Sequence, residues 1–213
     1  MTQPAGVATR DQPALGATLR EERLKQGLSL RELSRRLGVS ASLVSQIETG
    51  KVQPSVRTLY SMVSELGISL DRVFGNVVHD ASSNGSRPES GSRVEGAEGE
   101  SSRHIQRKRQ RCGLDLEGGV RWERLTTSNE PTIEFLYLTY PPGSESAPAN
   151  ALVRHAGKEY GLVVSGRLKV TSGFNDYTLE AGDSVWLESS IPHRLFNDGG
   201  EPVEAVWVVL GRE

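Results

Sequence analysis

Two rhythms of apolar residues divide the chain. In the front part the period is helical: Leu30, Leu33 and Leu37 share one face of a short segment, and Val56, Leu59, Val63 and Leu66 share one face of another. Further along the period falls to two. Leu168 and Val170 alternate with Arg167, Lys169 and Thr171, and short apolar runs around Phe135, Val163, Val185 and Val206 are separated by Gly, Pro and Asp turns. The front therefore predicts a small helical bundle, and the many short strands behind it predict a sandwich or barrel.

Between the two, residues 82–102 read SSNGSRPESGSRVEGAEGESS, with too few apolar side chains to bury a core. This divides the chain into an N-terminal arm (1–13), a helical domain (14–76), a flexible linker (77–106) and a β domain (107–213). A length of 213 residues at 36% hydrophobic content suffices for two small cores. The charge of -2 hides an asymmetry. Residues 15–76 hold nine Lys/Arg against six Asp/Glu, whereas residues 112–213 hold eight against fifteen. A mildly basic front suits phosphate contact, and an acidic back suits an effector or partner role. The basic run Arg107-Lys108-Arg109-Gln110-Arg111 suits either phosphate contact or a solvated domain flank. A single cysteine, Cys112, forms no disulfide within the chain and fits a reducing compartment. No apolar run reaches the roughly 18 residues of a membrane span, and the opening residues lack the pattern of a signal peptide. A cytoplasmic protein without a membrane partner is expected.

Within the helical domain, Ser29-Leu-Arg-Glu32 has the spacing of a capping box, in which the serine caps the helix and the glutamate reaches back to the serine N–H. Gly38 ends that helix, Val39 plugs the corner, and Ser40 caps a further helix running to about Thr49. On this last helix Val44 and Ile47 face the core. Ala41, Ser42, Ser45 and Gln46 are left on the outer face as candidates to contact base edges. Gln46 can both donate to and accept from adenine, the serines can bond several bases, and Ala41 can touch a thymine methyl. Lys51 would hold a phosphate and set the register.

The opening R-x3-GLS, the LGVS turn, the SQIE-G-K close and the proline-led helix after it resemble the Cro and lambda-repressor type of helix-turn-helix, the xenobiotic-response-element (XRE) family, over about residues 15–75. The resemblance implies a five-helix bundle that binds double-stranded operator DNA. It also implies an ion pair between Arg23 and Glu48 that ties the first helix to the recognition helix.

In the β domain, Arg154-His155-Ala-Gly-Lys-Glu159 leads to the turn glycine Gly166, and Pro192-His193 is followed by Asn197. These runs resemble the two motifs of the cupin family and imply a double-stranded β-helix, or jelly-roll barrel. The fold class expected is thus α + β in two domains. In cupins the motifs supply three histidines and a glutamate to a metal. Here His155, Glu159 and His193 match, and Val153 stands at the fourth position. Two imidazoles and a carboxylate can still hold a divalent ion with open positions. The alternative is a metal-free barrel in which these side chains only bond to one another or line an apolar cavity.

A DNA-reading head followed by such a barrel predicts a transcriptional regulator without catalytic residues, working as a homodimer, whose cupin domain senses a small-molecule effector. Because the linker is long, coupling would run through dimerisation or domain docking rather than a stiff lever. The competing reading is a mononuclear non-haem Fe(II) oxidase. Hydroxypropylphosphonic acid epoxidase has the same domain order, and its HAG-x-E run is similar to His155–Glu159.

Overall fold

In the computed structural model, which describes residues 13–74, 104–128, 130 and 132–211, serines open the front helices by one device. Five helices follow one another: α1 (Pro13–Lys25), α2 (Leu30–Leu37), α3 (Ala41–Glu48), α4 (Val56–Glu65) and α5 (Leu70–Val73). The hydroxyls of Ser29, Ser40 and Ser55 each accept the backbone N–H three residues on, at 3.1 Å, and so fix the starts of α2, α3 and α4. The reciprocal half of the capping box takes another course. The Glu32 carboxylate grips Arg35 and Arg36, at 2.8 Å each, because charge-assisted donors hold a carboxylate more strongly than one amide. Gly38 ends α2 at φ 66°, a conformation that costs a side-chain-bearing residue energy.

Leu19, Leu33, Val44, Leu59 and Val63 form the buried centre of this bundle. Helix α1 lies so close to the end of α3 that a Cβ on Gly16 would sit 2.4 Å from the Ile47 carbonyl oxygen. The arm expected over 1–13 and the linker over 77–106 lie outside the described residues, apart from Pro13 and residues 104–106.

Among the described residues the back half holds nine strands: β1 (Gly113–Asp115), β2 (Arg121–Arg124), β3 (Ile133–Tyr140), β4 (Lys158–Ser165), β5 (Leu168–Ser172), β6 (Asn175–Leu179), β7 (Ser184–Glu188), β8 (His193–Phe196) and β9 (Val203–Leu210). They form a sheet ordered β1-β2-β3-β9-β4-β7 and a second ordered β6-β5-β8, with antiparallel pairing throughout. Alternation sorts the side chains. Leu136, Leu138 and Tyr140 of β3 and Val203, Ala205, Trp207 and Val209 of β9 are buried inside, with the residues between them facing outward. Tyr160 and Trp186 stand on the outside at 45% and 62% exposure, since their registers put them on the outer face. Arg111 of the basic run lies over the Tyr137 ring at 5.1 Å and 3.5 Å from Glu123, which ties that end of the run to the barrel.

The helical head is seated on the barrel. Arg57 N–H donates to the Ser146 carbonyl at 3.2 Å, Glu117 N–H to that of Pro54 at 3.0 Å, and Glu130 N–H to the Asp71 carboxylate at 2.6 Å. Tyr60, on α4, donates its hydroxyl to Glu134 of β3 at 3.2 Å. Asp71 of α5 and Arg124 of β2, both buried, lie 3.9 Å apart across the same joint.

Candidate functional site

Helix α3 presents the first candidate surface. Val44 and Ile47 are buried beneath it, while Ser42 and Gln46 are exposed on the opposite face. Ala41 and Ser45 are half-buried at the edges of that face. Lys51 is exposed just past the helix end, its N–H bonded to the Gln46 carbonyl at 2.8 Å. The helix is braced from behind. Arg23 Nε and Nη2 donate to the two carboxylate oxygens of Glu48 at 2.6 and 2.7 Å, and Nη1 donates to the Leu28 carbonyl at 2.7 Å. Both side chains are buried, so this forked pair sets the angle between α1 and α3.

The second candidate lies inside the barrel. His155 in the loop before β4, Glu159 on β4 and His193 on β8 form a cluster whose ligand atoms all lie within 4.8 Å of one another. Each imidazole puts Nε2 2.9 Å from the same oxygen, Glu159 Oε1. Each also spends Nδ1–H on a backbone carbonyl, His155 on Ala156 at 2.8 Å and His193 on Ile191 at 2.9 Å. That leaves neutral Nε2 lone pairs facing a carboxylate lone pair, and His155 Nε2 and Glu159 Oε1 have no hydrogen-bond partner in this arrangement. Three electron-rich atoms turned toward one another need positive charge among them, from a proton or a cation. The set therefore fits a divalent metal, with the carbonyl-bonded Nδ1 groups as orienting partners.

Without an ion, a proton shared between the carboxylate and the imidazoles meets the same need. Burial alone would raise the Glu159 carboxyl, but the two imidazoles outweigh it and hold the group well below the ordinary carboxylate range. Burial alone would lower His193, but the Glu159 carboxylate outweighs it and raises the imidazole. The other Glu159 oxygen accepts from Trp207 Nε1 at 2.6 Å. Trp207 fits there because β4 places Gly161 directly opposite, where a Cβ would come within 2.0 Å of the ring. Val153, buried at 4% exposure, bridges to His193 through its backbone and puts an apolar side chain into the cavity.

Tyr60 is the residue that sequence reasoning did not place. Its ring stacks on His155 with centroids 4.6 Å apart and tilts against Trp122 at 5.4 Å. With Val56 it closes the barrel cavity, which holds only about 20 Å³. Trp122 Nε1 and Tyr140 Oη, two further polar atoms at this cavity, are buried without a hydrogen-bond partner. Burial drives the Tyr140 hydroxyl pKa upward.

Comparison with known proteins matches residues 19–73 to the helix-turn-helix family and residues 136–209 to the cupin domain family. HTH-type transcriptional regulator PuuR of Escherichia coli strain K12 is 29% identical over 184 residues, covering 86% of this chain and 88% of PuuR; PuuR of Shigella flexneri is equally similar. Among solved structures, an HTH_3 family transcriptional regulator from Vibrio cholerae has a TM-score of 0.61 at 24% identity, covering 94% of this chain and 97% of its own, and shares the fold. Hydroxypropylphosphonic acid epoxidase from S. wedmorenis reaches a TM-score of only 0.42 at 17% identity, over 93% and 97% of the two chains, which carries no argument about activity. The chain joins an N-terminal helix-turn-helix domain of the XRE type to a C-terminal cupin domain, the organisation of an HTH-type transcriptional regulator similar to PuuR.

Proposed function

We propose that this regulator reads an operator through Ser42, Ser45 and Gln46, with Ala41 against a thymine methyl and Lys51 on a phosphate, and that its cupin domain senses a small-molecule effector. The observation that carries the first half is the exposed Ser42 and Gln46 face of α3, held rigid by the Arg23–Glu48 fork. An α-helix so presented fits the major groove, where a glutamine recognises adenine by paired hydrogen bonds. The face lacks arginine and lysine, so one head alone would bind weakly. A homodimer on two half-sites would double the contacts. A cytoplasmic location follows from this role, and no described helix is long and apolar enough to cross a membrane.

The sensing half is supported by the joint. An effector or metal ion at His155, Glu159 and His193 would act one ring away from α4 of the head, since Tyr60 stacks on His155. When bound, a divalent ion supplies open positions for an oxygen ligand. The test is a titration of operator DNA into the full chain, metal-loaded and metal-free. Sequence-selective binding that shifts with the state of the cupin site supports the proposal, and selective binding indifferent to that site removes the sensing half.

The two-histidine, one-carboxylate set also favours a second reading, an Fe(II) oxidase. With about 20 Å³ free, roughly one water, the closed cavity has little room for substrate beside an ion. Oxygen-dependent turnover of a small acid by the iron-loaded chain, without selective DNA binding, would decide for the oxidase.

A further inference from the structure

The cavity inside the barrel is small, but the joint itself holds a much larger space. A groove of about 310 Å³ runs between head and barrel. Arg36, Arg57, Ser64 and Glu65 of the head stand along one side, Arg154 and His155 of the barrel along the other. The lower limit for small-molecule sites is about the same size.

Its charge is lopsided. Arg36 pairs with Glu65 at 2.8 Å, which neutralises both. Arg57 and Arg154 remain, and among the described residues neither has an ion-pair partner. Two unpaired guanidinium groups in one concave space repel each other and concentrate anions. Arg154 stands in a barrel domain that is otherwise acidic, so general basicity does not explain it. The same groove is lined by the apolar side chains of Leu37, Leu152 and Val153 and by Tyr60.

We propose that this groove binds a small dicarboxylate, with one carboxylate forked by Arg57 of the head, the other by Arg154 of the barrel, and an apolar spacer against Leu37, Leu152 and Tyr60. The planar guanidinium matches a carboxylate through two parallel hydrogen bonds, so two arginines on opposite walls select a ligand with two ends. A ligand held from both sides strengthens the docking of head on barrel, because it binds the seated arrangement and gains only half its contacts on the open one. The inference deepens the effector role proposed above by assigning the chemical class of the effector, and it rests on that reading for its biological use.

The probes are succinate, glutarate and adipate, with acetate as the one-ended control, titrated into the full chain by calorimetry. Saturable binding with an optimum at one chain length is expected, weakened about tenfold or more by either Arg57→Ala or Arg154→Ala. Both arginines are exposed, so both variants should fold. Fluorescence transfer between labels at Leu24→Cys and Phe174→Cys, in a Cys112→Ser background, should show the head drawn closer to the barrel on adding the best diacid. Equal binding of acetate, undiminished binding by either variant, or no binding of any diacid overturns the inference. So does a uniform loss of DNA affinity in both variants without diacid, which would make the groove a phosphate track. If a diacid binds but leaves operator affinity unchanged, the groove stands and effector control falls. If another compound controls operator binding and no diacid binds, effector control stands and the groove proposal falls.

Discussion

Glu159 is buried at 4% exposure among two imidazoles and an indole N–H, and its ionisation sets the stability of the barrel's interior. A carboxyl held below its ordinary value contributes stability that is complete above the usual carboxylate range and disappears as pH falls through the depressed value. His193 is raised, so its contribution is complete below the usual imidazole value and disappears as pH rises through the raised one. Metal-free protein should therefore melt highest in weakly acidic buffer and lose stability on both sides. Adding a divalent ion should abolish the alkaline loss, because the ion replaces the proton. Melting curves across pH with and without chelator check this; an alkaline limb unaltered by metal would contradict it. Val153→His should restore a fourth ligand and tighten metal binding by about tenfold or more, measured by competition with a chromophoric chelator. An unchanged affinity would mean that the Val153 position does not face the ion.

At the level of elements, the bracing of α3 and the packing of β4 on β9 each hang on one pair. Glu48→Ala strands the buried Arg23 guanidinium and should destabilise the head by about 3–5 kcal/mol in chemical denaturation. A loss below about 1 kcal/mol would show that the pair is replaceable by water. Gly161→Ala should push the Trp207 ring aside, break its bond to Glu159 and weaken metal binding with Glu159, His155 and His193 all intact. These elements were legible to different degrees. The serine caps, the Gly38 stop and the period-two strands are local features, so helices and strands could be read from residues a few positions apart. The capping box was half right, because whether Glu32 turns to an amide or to Arg35 and Arg36 depends on rotamers that spacing does not fix. The role of Trp207 comes from a contact across 48 positions with Glu159, and its one local sign was a glycine, Gly161, in the middle of a strand.

Across the whole molecule, the seat of the head on the barrel was not legible. A polar linker announces freedom, whereas the docking is written in Tyr60, Asp71, Glu134 and Arg124, which look like ordinary helix and strand residues until the fold brings them together. Tyr60→Ala should loosen this seat, since it removes the stack on His155 and the bond to Glu134, and should leave the head folded. Faster proteolysis between the two domains, with unchanged helix content by circular dichroism, would register it; unchanged proteolysis would mean that the remaining contacts suffice. The central claim is that α3 discriminates among base pairs, and it is tested most directly by titrating the full chain and its Gln46→Ala variant against the chain's own upstream promoter and a random duplex at fixed salt. The account predicts a preference of about a thousandfold or more for the promoter, cut in the variant by about 1–3 kcal/mol. Equal binding to both duplexes, or a preference that survives Gln46→Ala with Ser42 and Ser45 also replaced, would contradict it.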